Sequence, residues 1–319
     1  MVLILGVGIM LWMKPEENGV WEGEKTVEPG IGQVVLTLGD GESMPLKRDT
    51  NRLIFGGTML QVRNERGTLV YSRIKSKEAS EKIVYNTLTV PVRERFQLVL
   101  ADGTKVFLNS GSEMRYPERF GKARREVFLK GEAWFEVAKD SAREFWVHAG
   151  AMDVKVLGTS FNVKAYERLE TVATTLVEGS VEVACAGKSF QIVPGEQFVY
   201  DKNNRVMDVR MVDTESYVSW KDGYYKFRQT TLEEIMETLS VWYGLNVFYV
   251  NESAKQVEFT GKVRRYEDAR MLLDKFEQTG DVVFDIKGNN VFITIKQKKP
   301  FAREWNSFLV KARGMVWQS

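Results

Sequence analysis

Glu126–Val183 reads EVFLKGEAWFEVAKDSAREFWVHAGAMDVKVLGTSFNVKAYERLETVATTLVEGSVEV. Val127 and Leu129 alternate with Phe128 and Lys130, and Gly131 interrupts the pattern. Ala133, Phe135 and Val137 then alternate with Trp134, Glu136 and Ala138. Val154, Val156, Phe161 and Val163 continue the alternation beyond Leu157-Gly158-Thr159, and Leu176–Val183 closes it. Period-two alternation with glycine punctuation describes consecutive half-buried strands.

The same signature extends outward on both sides. Val34, Leu36 and Leu38 alternate, Asp40-Gly41 turns, and Met44 and Leu46 follow. Phe96, Leu98 and Leu100 repeat the pattern before Asp102-Gly103, with Val106 and Leu108 after it. Asp-Gly supplies the positive φ of tight hairpins. Two matching hairpins point to stacked or paired β units. Between them, Leu60–Arg63 and Thr68–Tyr71 are strand-like, Ser76–Lys82 is a polar loop, and Thr87–Val90 leads into the second hairpin. Residues 109–125 form a turn-rich basic insert with Arg115, Arg119, Lys122, Arg124 and Arg125, read as a solvated loop or a patch for an acidic partner. Phe190–Val193 and Gln197–Tyr200 make another hairpin, and Val206–Val212 leads out of the β region. Residues 33–212 are therefore an all-β domain, sandwich- or solenoid-like.

The period then changes. Thr230, three residues before Glu233, fits a capping box, and Leu232, Ile235, Met236, Leu239, Trp242 and Tyr243 share a helical face that stops at Gly244. Ala269, Leu272, Leu273 and Phe276 repeat that spacing, with Glu267 and Asp268 in the first turn and Gly280 at the end. With strands at Tyr225–Phe227, Asn246–Val250, Val257–Val263, Val282–Ile286 and Val291–Ile295, residues 220–296 are a small α+β domain of order βαβ–βαββ, its helices on one sheet face.

The start, Val2–Met13, is apolar and ends at Lys14-Pro15. It is too short to span a bilayer, which takes about 20 residues, and makes a poor signal peptide. Residues 1–14 read as the outer end of a transmembrane helix, with an apolar strand as the alternative. Residues 15–32 are a linker by composition, and 297–319 a basic tail with no assigned role.

Composition excludes several functions. The 319 residues carry 45 basic and 43 acidic side chains, a net charge of +2 that gives no global field for nucleic acid. One cysteine, Cys185, and one histidine, His148, exclude a disulfide framework and the usual zinc sites. Cys185 reads as a small buried apolar residue. There is no HExxH, no GxSxG and no phosphate-binding glycine loop, and no cofactor is implied. Gly158-Thr159 admits one reaction: a hydroxyl after glycine in a tight turn attacks the preceding carbonyl, an N–O acyl shift leading to self-cleavage. The alternative is a plain glycine turn.

Taken together, several pieces in order carry a resemblance. They are Leu98–Asn109, Gly131–Val137, Val156–Val163, Leu176–Val181, Pro194–Gln197, Trp220–Gly223 and Phe259–Gly261. With these, the chain resembles FecR-type periplasmic anti-sigma regulators over residues 33–296. The resemblance implies a single-pass inner-membrane protein whose larger part is periplasmic. Its partners would be the signalling domain of a TonB-dependent outer-membrane transporter and, through a cytoplasmic domain not found in these residues, an extracytoplasmic-function sigma factor. Residues 224–296 resemble the secretin/TonB short N-terminal (STN) fold, with Tyr225, Phe227, Phe248 and Phe259 as candidate partner contacts. Some relatives of this type self-cleave at the glycine–threonine matching Gly158-Thr159. The runner-up function is a periplasmic carbohydrate-binding β protein, motivated by 12% aromatic residues, and an enzyme such as a glycosidase is third.

Overall fold

The computed structural model describes residues 32–47, 51–56, 60–65, 67–73, 83–265 and 268–296. The apolar N-terminal stretch, all but the last residue of the linker, the polar Ser76–Lys82 loop, Glu267 and the tail lie outside the described residues. No described helix is long and apolar enough to cross a membrane.

The β domain is two sheets, and the chain alternates between them. β1 (Val34–Thr37) and β2 (Ser43–Leu46) start the first sheet; β3 (Asn51–Gly56), β4 (Leu60–Glu65) and β5 (Thr68–Arg73) start the second. β6 (Tyr85–Thr89) returns to the first, and the hairpin β7 (Phe96–Val99) and β8 (Lys105–Leu108) to the second. β9 (Glu113–Pro117) is in the first sheet, and β10 (Arg125–Glu136) belongs to both. Then β11 (Phe145–Ala149) and β12 (Met152–Val156) join the first, and β13 (Ser160–Ala165) and β14 (Thr171–Glu178) the second. The pairs β15 (Val181–Cys185) with β16 (Lys188–Ile192), and β17 (Glu196–Asp201) with β18 (Val206–Met211), repeat the alternation.

Sheet one runs β2-β1-β6-β9-β10-β11-β12-β15-β16, and sheet two β3-β4-β5-β7-β8-β10-β13-β14-β17-β18. Each hairpin extends a sheet already started, so the domain is a sandwich in cross-section with a solenoid's progression along its length. The inward residues of the two sheets, among them Leu36, Leu98, Val127, Phe135, Phe145, Val154, Phe161 and Phe198, form one core. Cys185 lies within it, and burial raises its thiol pKa.

Both Asp-Gly hairpins form, with Gly41 at φ 93° and Gly103 at φ 87°. Their aspartates differ. Asp40 accepts from the Glu42 N–H, whereas Asp102 also holds the guanidinium of Arg125 at 2.9 Å. The basic insert is thus not one solvated loop: it contains strand β9, and Arg125 is fully buried. Arg125 donates to the carbonyls of Ala138 and Arg143 at 2.8 and 2.9 Å as well, so a desolvated cation keeps a complete set of acceptors. Val206–Met211, at the end of the expected β region, is the last strand of sheet two.

The α+β unit follows α1 (Thr214–Val218), which Asp213 caps. Its order is β19 (Tyr224–Thr231), α2 (Leu232–Tyr243), β20 (Asn246–Tyr249), β21 (Glu258–Arg264), α3 (Ala269–Glu277), β22 (Val282–Lys287) and β23 (Asn290–Ile295). This is the βαβ–βαββ order, but not on one sheet. Among the described residues β19 pairs with β21 alone, and β20, β23 and β22 form a separate sheet with β20 parallel to β23. A bulge in β19, with Gln229 at φ 48°, lies within the β19–β21 pair. The α2 cap is Thr231, one residue later than expected: its hydroxyl accepts from the Glu234 N–H. Gly244 ends α2 at φ 68°.

Gly131 sits where β10 passes between sheets, at φ 104°, and a Cβ there would lie 2.5–2.8 Å from Ser112. Gly103 has a similar φ but open space around it. Gly103→Ala should therefore cost only the backbone term, about 1–2 kcal/mol. Gly131→Ala adds a steric clash and should cost about 3–5 kcal/mol. Urea unfolding of the two variants side by side separates the terms, and equal losses would contradict this placement.

Candidate functional site

Sheet two has an outer face, and the α+β unit is seated on it. Along β10, Ala133 and Phe135 point into the sandwich core, while Trp134 belongs to a second core with Trp220, Tyr225, Phe227, Leu239, Trp242 and Phe276. Phe107 and Val177 of sheet two pack against that second core.

Beside this apolar contact lies a buried polar network. Glu132 is 8% exposed, and its two carboxylate oxygens accept from the amides of Asn109 at 2.6 Å and Asn162 at 2.9 Å. The Asn162 carbonyl oxygen accepts from the Trp220 indole at 3.2 Å. Arg265, at the end of β21, is fully buried; it donates to the Asn109 side chain at 2.8 Å and the Trp220 carbonyl at 2.9 Å. Its guanidinium carbon lies 3.4 Å from the centroid of the Trp242 ring, a cation–π contact in a dry setting. Ser110 donates its hydroxyl to the Val241 carbonyl at 3.1 Å, and Arg93 donates to the Tyr243 carbonyl at 3.3 Å.

Burial raises the Glu132 pKa; Lys164, the two amides and Arg265 oppose the shift without cancelling it. Tyr166, buried nearby, donates to the Ser110 carbonyl at 2.7 Å, and desolvation raises its phenol pKa strongly. Among the described residues no group of three or more His, Cys, Asp or Glu side chains is placed to hold a metal. The arrangement contains no nucleophile–base pair. Its chemistry is recognition: amides, an indole and a guanidinium fixing one orientation of two units.

The proposed partner contacts divide. Tyr225, Phe227 and Phe259 are 3–7% exposed and belong to the second core, so their rings are spent on internal packing and present no face to a partner. Phe248 is 47% exposed on β20 and stacks on Phe292 at 5.1 Å. Thr159 is buried and donates to the Ser180 carbonyl at 3.0 Å; Gly158 lies against Lys139, where a Cβ would sit 2.6–3.1 Å from that residue. Neither is part of the junction network.

Comparison with known proteins agrees with this layout. The family described as "FecR protein" matches residues 86–182, and "FecR, C-terminal" matches residues 224–293. Together they span just over half of the sequence. The chain belongs to the FecR family. Residues 183–223, between the two matches, hold β16, β17, β18 and α1. Two crystal structures of a candidate anti-sigma factor from Parabacteroides distasonis ATCC 8503 are similar to it, at 28% and 27% identity, each with a TM-score of 0.60. Each match covers 66% of this chain and 98% or 99% of the other. No curated protein matches.

Asn109, Glu132 and Asn162 fall within the matched residues 86–182 and Trp220 lies just before residues 224–293, yet nothing in strand alternation marks them as neighbours. The usable signal is a polar side chain on the outward face of a strand that also carries an outward tryptophan, as Glu132-Ala133-Trp134 does. Arg265 gives no such signal.

Two outcomes follow for the FecR junction. Arg265→Ala leaves buried acceptors unmatched and should cost about 2–4 kcal/mol; denaturant unfolding of the variant should show the α+β unit melting before the β domain. Glu132→Gln places an amide N–H₂ against an asparagine N–H₂ and should cost about 1–3 kcal/mol. Because folding raises the Glu132 pKa, the folded state binds that proton more tightly. Its contribution is full below the ordinary glutamate pKa and declines as pH rises toward the raised value. The advantage of wild type over Glu132→Gln should therefore be largest in acid and narrow upward in that window, read from melts at stepped pH.

Proposed function

We propose that the chain is the periplasmic signal-relay part of a transmembrane anti-sigma factor. It couples the signalling domain of a TonB-dependent outer-membrane transporter to an extracytoplasmic-function sigma factor, and so regulates transcription. The observation that carries this reading is the FecR part followed by the FecR C-terminal part on one chain, joined through a buried polar junction. Such a junction suits a relay, because a push on one unit is felt by the other. In this reading the membrane anchor is the apolar N-terminal stretch, and sigma-factor binding belongs to the cytoplasmic part of the regulator.

The surface that best suits the transporter contact is the sheet β20-β23-β22. β20 is at its edge, pairing only with β23 among the described residues. Phe248 on β20 and Val250 just beyond it are 47% and 63% exposed. An open edge offers backbone pairing, and an exposed aromatic offers an anchor. Gly158-Thr159 is the cut point in the same proposal. Attack of the Thr159 hydroxyl on the Gly158 carbonyl gives an ester and a free Thr159 amine; water then releases the Gly158 carboxylate. The cut halves stay paired through β12–β15 and β10–β13.

Immobilised transporter signalling domain should capture the chain. Phe248→Asp should weaken capture about thirtyfold, the scale of a lost aromatic anchor of about 2 kcal/mol. Val193→Asp, at an exposed site on the β domain, should leave it unchanged. Failure to capture, with glycan binding instead, would move the reading to a carbohydrate-binding protein. On a denaturing gel the incubated chain should give two bands, and Thr159→Ala one; a single band in both would remove the cut point.

A further inference from the structure

Sheet two ends at β18, whose sequence is Val206-Met207-Asp208-Val209-Arg210-Met211. Among the described residues β18 pairs with β17 alone, so its far edge is open. The β17–β18 register runs unbroken from Asp201↔Val206 to Glu196↔Met211, and just beyond it the Val212 N–H donates to the Gly195 carbonyl at 2.9 Å. Backbone polar groups alternate in direction along an antiparallel strand. Those of Val206, Asp208 and Arg210 therefore face β17, as Val212 does, and those of Met207, Val209 and Met211 face outward.

Other edges of the β domain are blunted. At the two ends of sheet one, β2 carries Pro45 and β16 presents the exposed Lys188. β18 has neither proline nor lysine, and its two charges are of opposite sign. Val206 and Met211 are 57% and 71% exposed. Met207 and Val209 pack against the sandwich core yet are only partly buried, so the core itself reaches the surface at this edge. Asp208 is exposed and makes no ion pair among the described residues. Arg210 meets Glu234 at 3.6 Å, with both side chains about half exposed.

We propose that β18 pairs antiparallel with β18 of a second copy of this chain, about a twofold axis at Val209. The outward backbone groups restrict the central registers to three. An axis at Asp208 sets aspartate against aspartate, and an axis at Arg210 sets arginine against arginine. With the axis at Val209, Asp208 faces Arg210 of the second copy, Met207 faces Met211, Val206 faces Val212, and Val209 faces itself. Opposite charges across a strand pair stabilise it and like charges oppose it. The outward N–H and C=O groups of Met207, Val209 and Met211 all find partners, and each copy's Met211 covers the other's Met207 at the open end of the core. A twofold axis between antiparallel edge strands is normal to the sheet, so both α+β units lie on the same side of the continued sheet. The contact uses the same patch on both copies and closes as a dimer. This inference rests on the strand edge and not on the transporter relay, so either can fail alone.

The test is sedimentation velocity on the full chain from about 1 to about 100 μM, the range of a modest interface. Wild type should pass from monomer to dimer. Asp208→Arg sets arginine against arginine at both symmetry-related pairs, and Arg210→Asp sets aspartate against aspartate. Each variant alone should raise the dimer Kd about tenfold or more. Mixed, the two variants carry complementary charges at both pairs, and a heterodimer close to wild-type strength should form. A wild type that stays monomeric, single variants that dimerise as wild type does, or a mixture that fails to recover overturns the proposal. Arg210→Asp also loses its contact with Glu234, so thermal melts check that both variants are folded. Hydrogen exchange of wild type is an independent readout: the Met207, Val209 and Met211 amides should gain protection as concentration rises. Full protection of those amides in the monomer would mean that another segment of the chain covers the edge, and would also overturn the proposal.

Discussion

One strand holds this molecule together. β10 pairs with β9 and β11 in sheet one and with β8 and β13 in sheet two, and it turns between them at Gly131. Because side chains alternate along a strand, the turn also decides what faces where. Ala133 and Phe135 close the sandwich core, and Glu132 and Trp134 are presented on the far side of sheet two. The seat for the α+β unit is therefore fixed by the same backbone feature that closes the β domain. A one-residue slip after Gly131 would bury Glu132 in the sandwich and turn Phe135 outward.

What sits on that seat is polar at its centre, and the energetics are not those of a greasy patch. Taking a guanidinium out of water costs several kcal/mol. Arg265 recovers much of it through two hydrogen bonds near 2.9 Å and the face of Trp242. The surrounding aromatics supply most of the burial: a large ring removes about 150–250 Å² from water, and fully burying such a side chain stabilises by about 1.5–3 kcal/mol. The polar network contributes definition: indole, amide and guanidinium each accept one geometry, so the two units have one mutual orientation and not a family of them.

How far the sequence reveals this depends on range. The Asp-Gly hairpins, the α2 face and its stop at Gly244 are legible because turn chemistry and helical period are local. The alternation of hairpins between two sheets, and the splitting of the α+β strands into two small sheets, are set by long-range pairing that no window contains. Arg125 reads as one charge in a basic loop, and only the folded chain reveals Asp102 beside it. Tyr225, Phe227 and Phe259 read equally as anchors or as core, since strand alternation marks a face without saying whether another unit covers it. Asn109 and Asn162 are invisible for the same reason: on an outward face, solvated and interfacial amides look alike.

The two sides of the α+β unit are linked by very little chain. The Val241, Trp242 and Tyr243 carbonyls at the end of α2 accept from Ser110 and Arg93 of the β domain. Gly244 and Leu245 follow, and β20 begins at Asn246. Leu245 is buried, and Gly244 sits in a left-handed conformation that other residues adopt reluctantly. The edge strand bearing Phe248 and the last turn of α2 are thus joined by a short, well-held corner. A shift of β20 has little slack in which to be absorbed, and the first groups it meets are the carbonyls that tie α2 to Ser110 and Arg93. The exposed edge and the buried junction are thus separated along the chain by two residues.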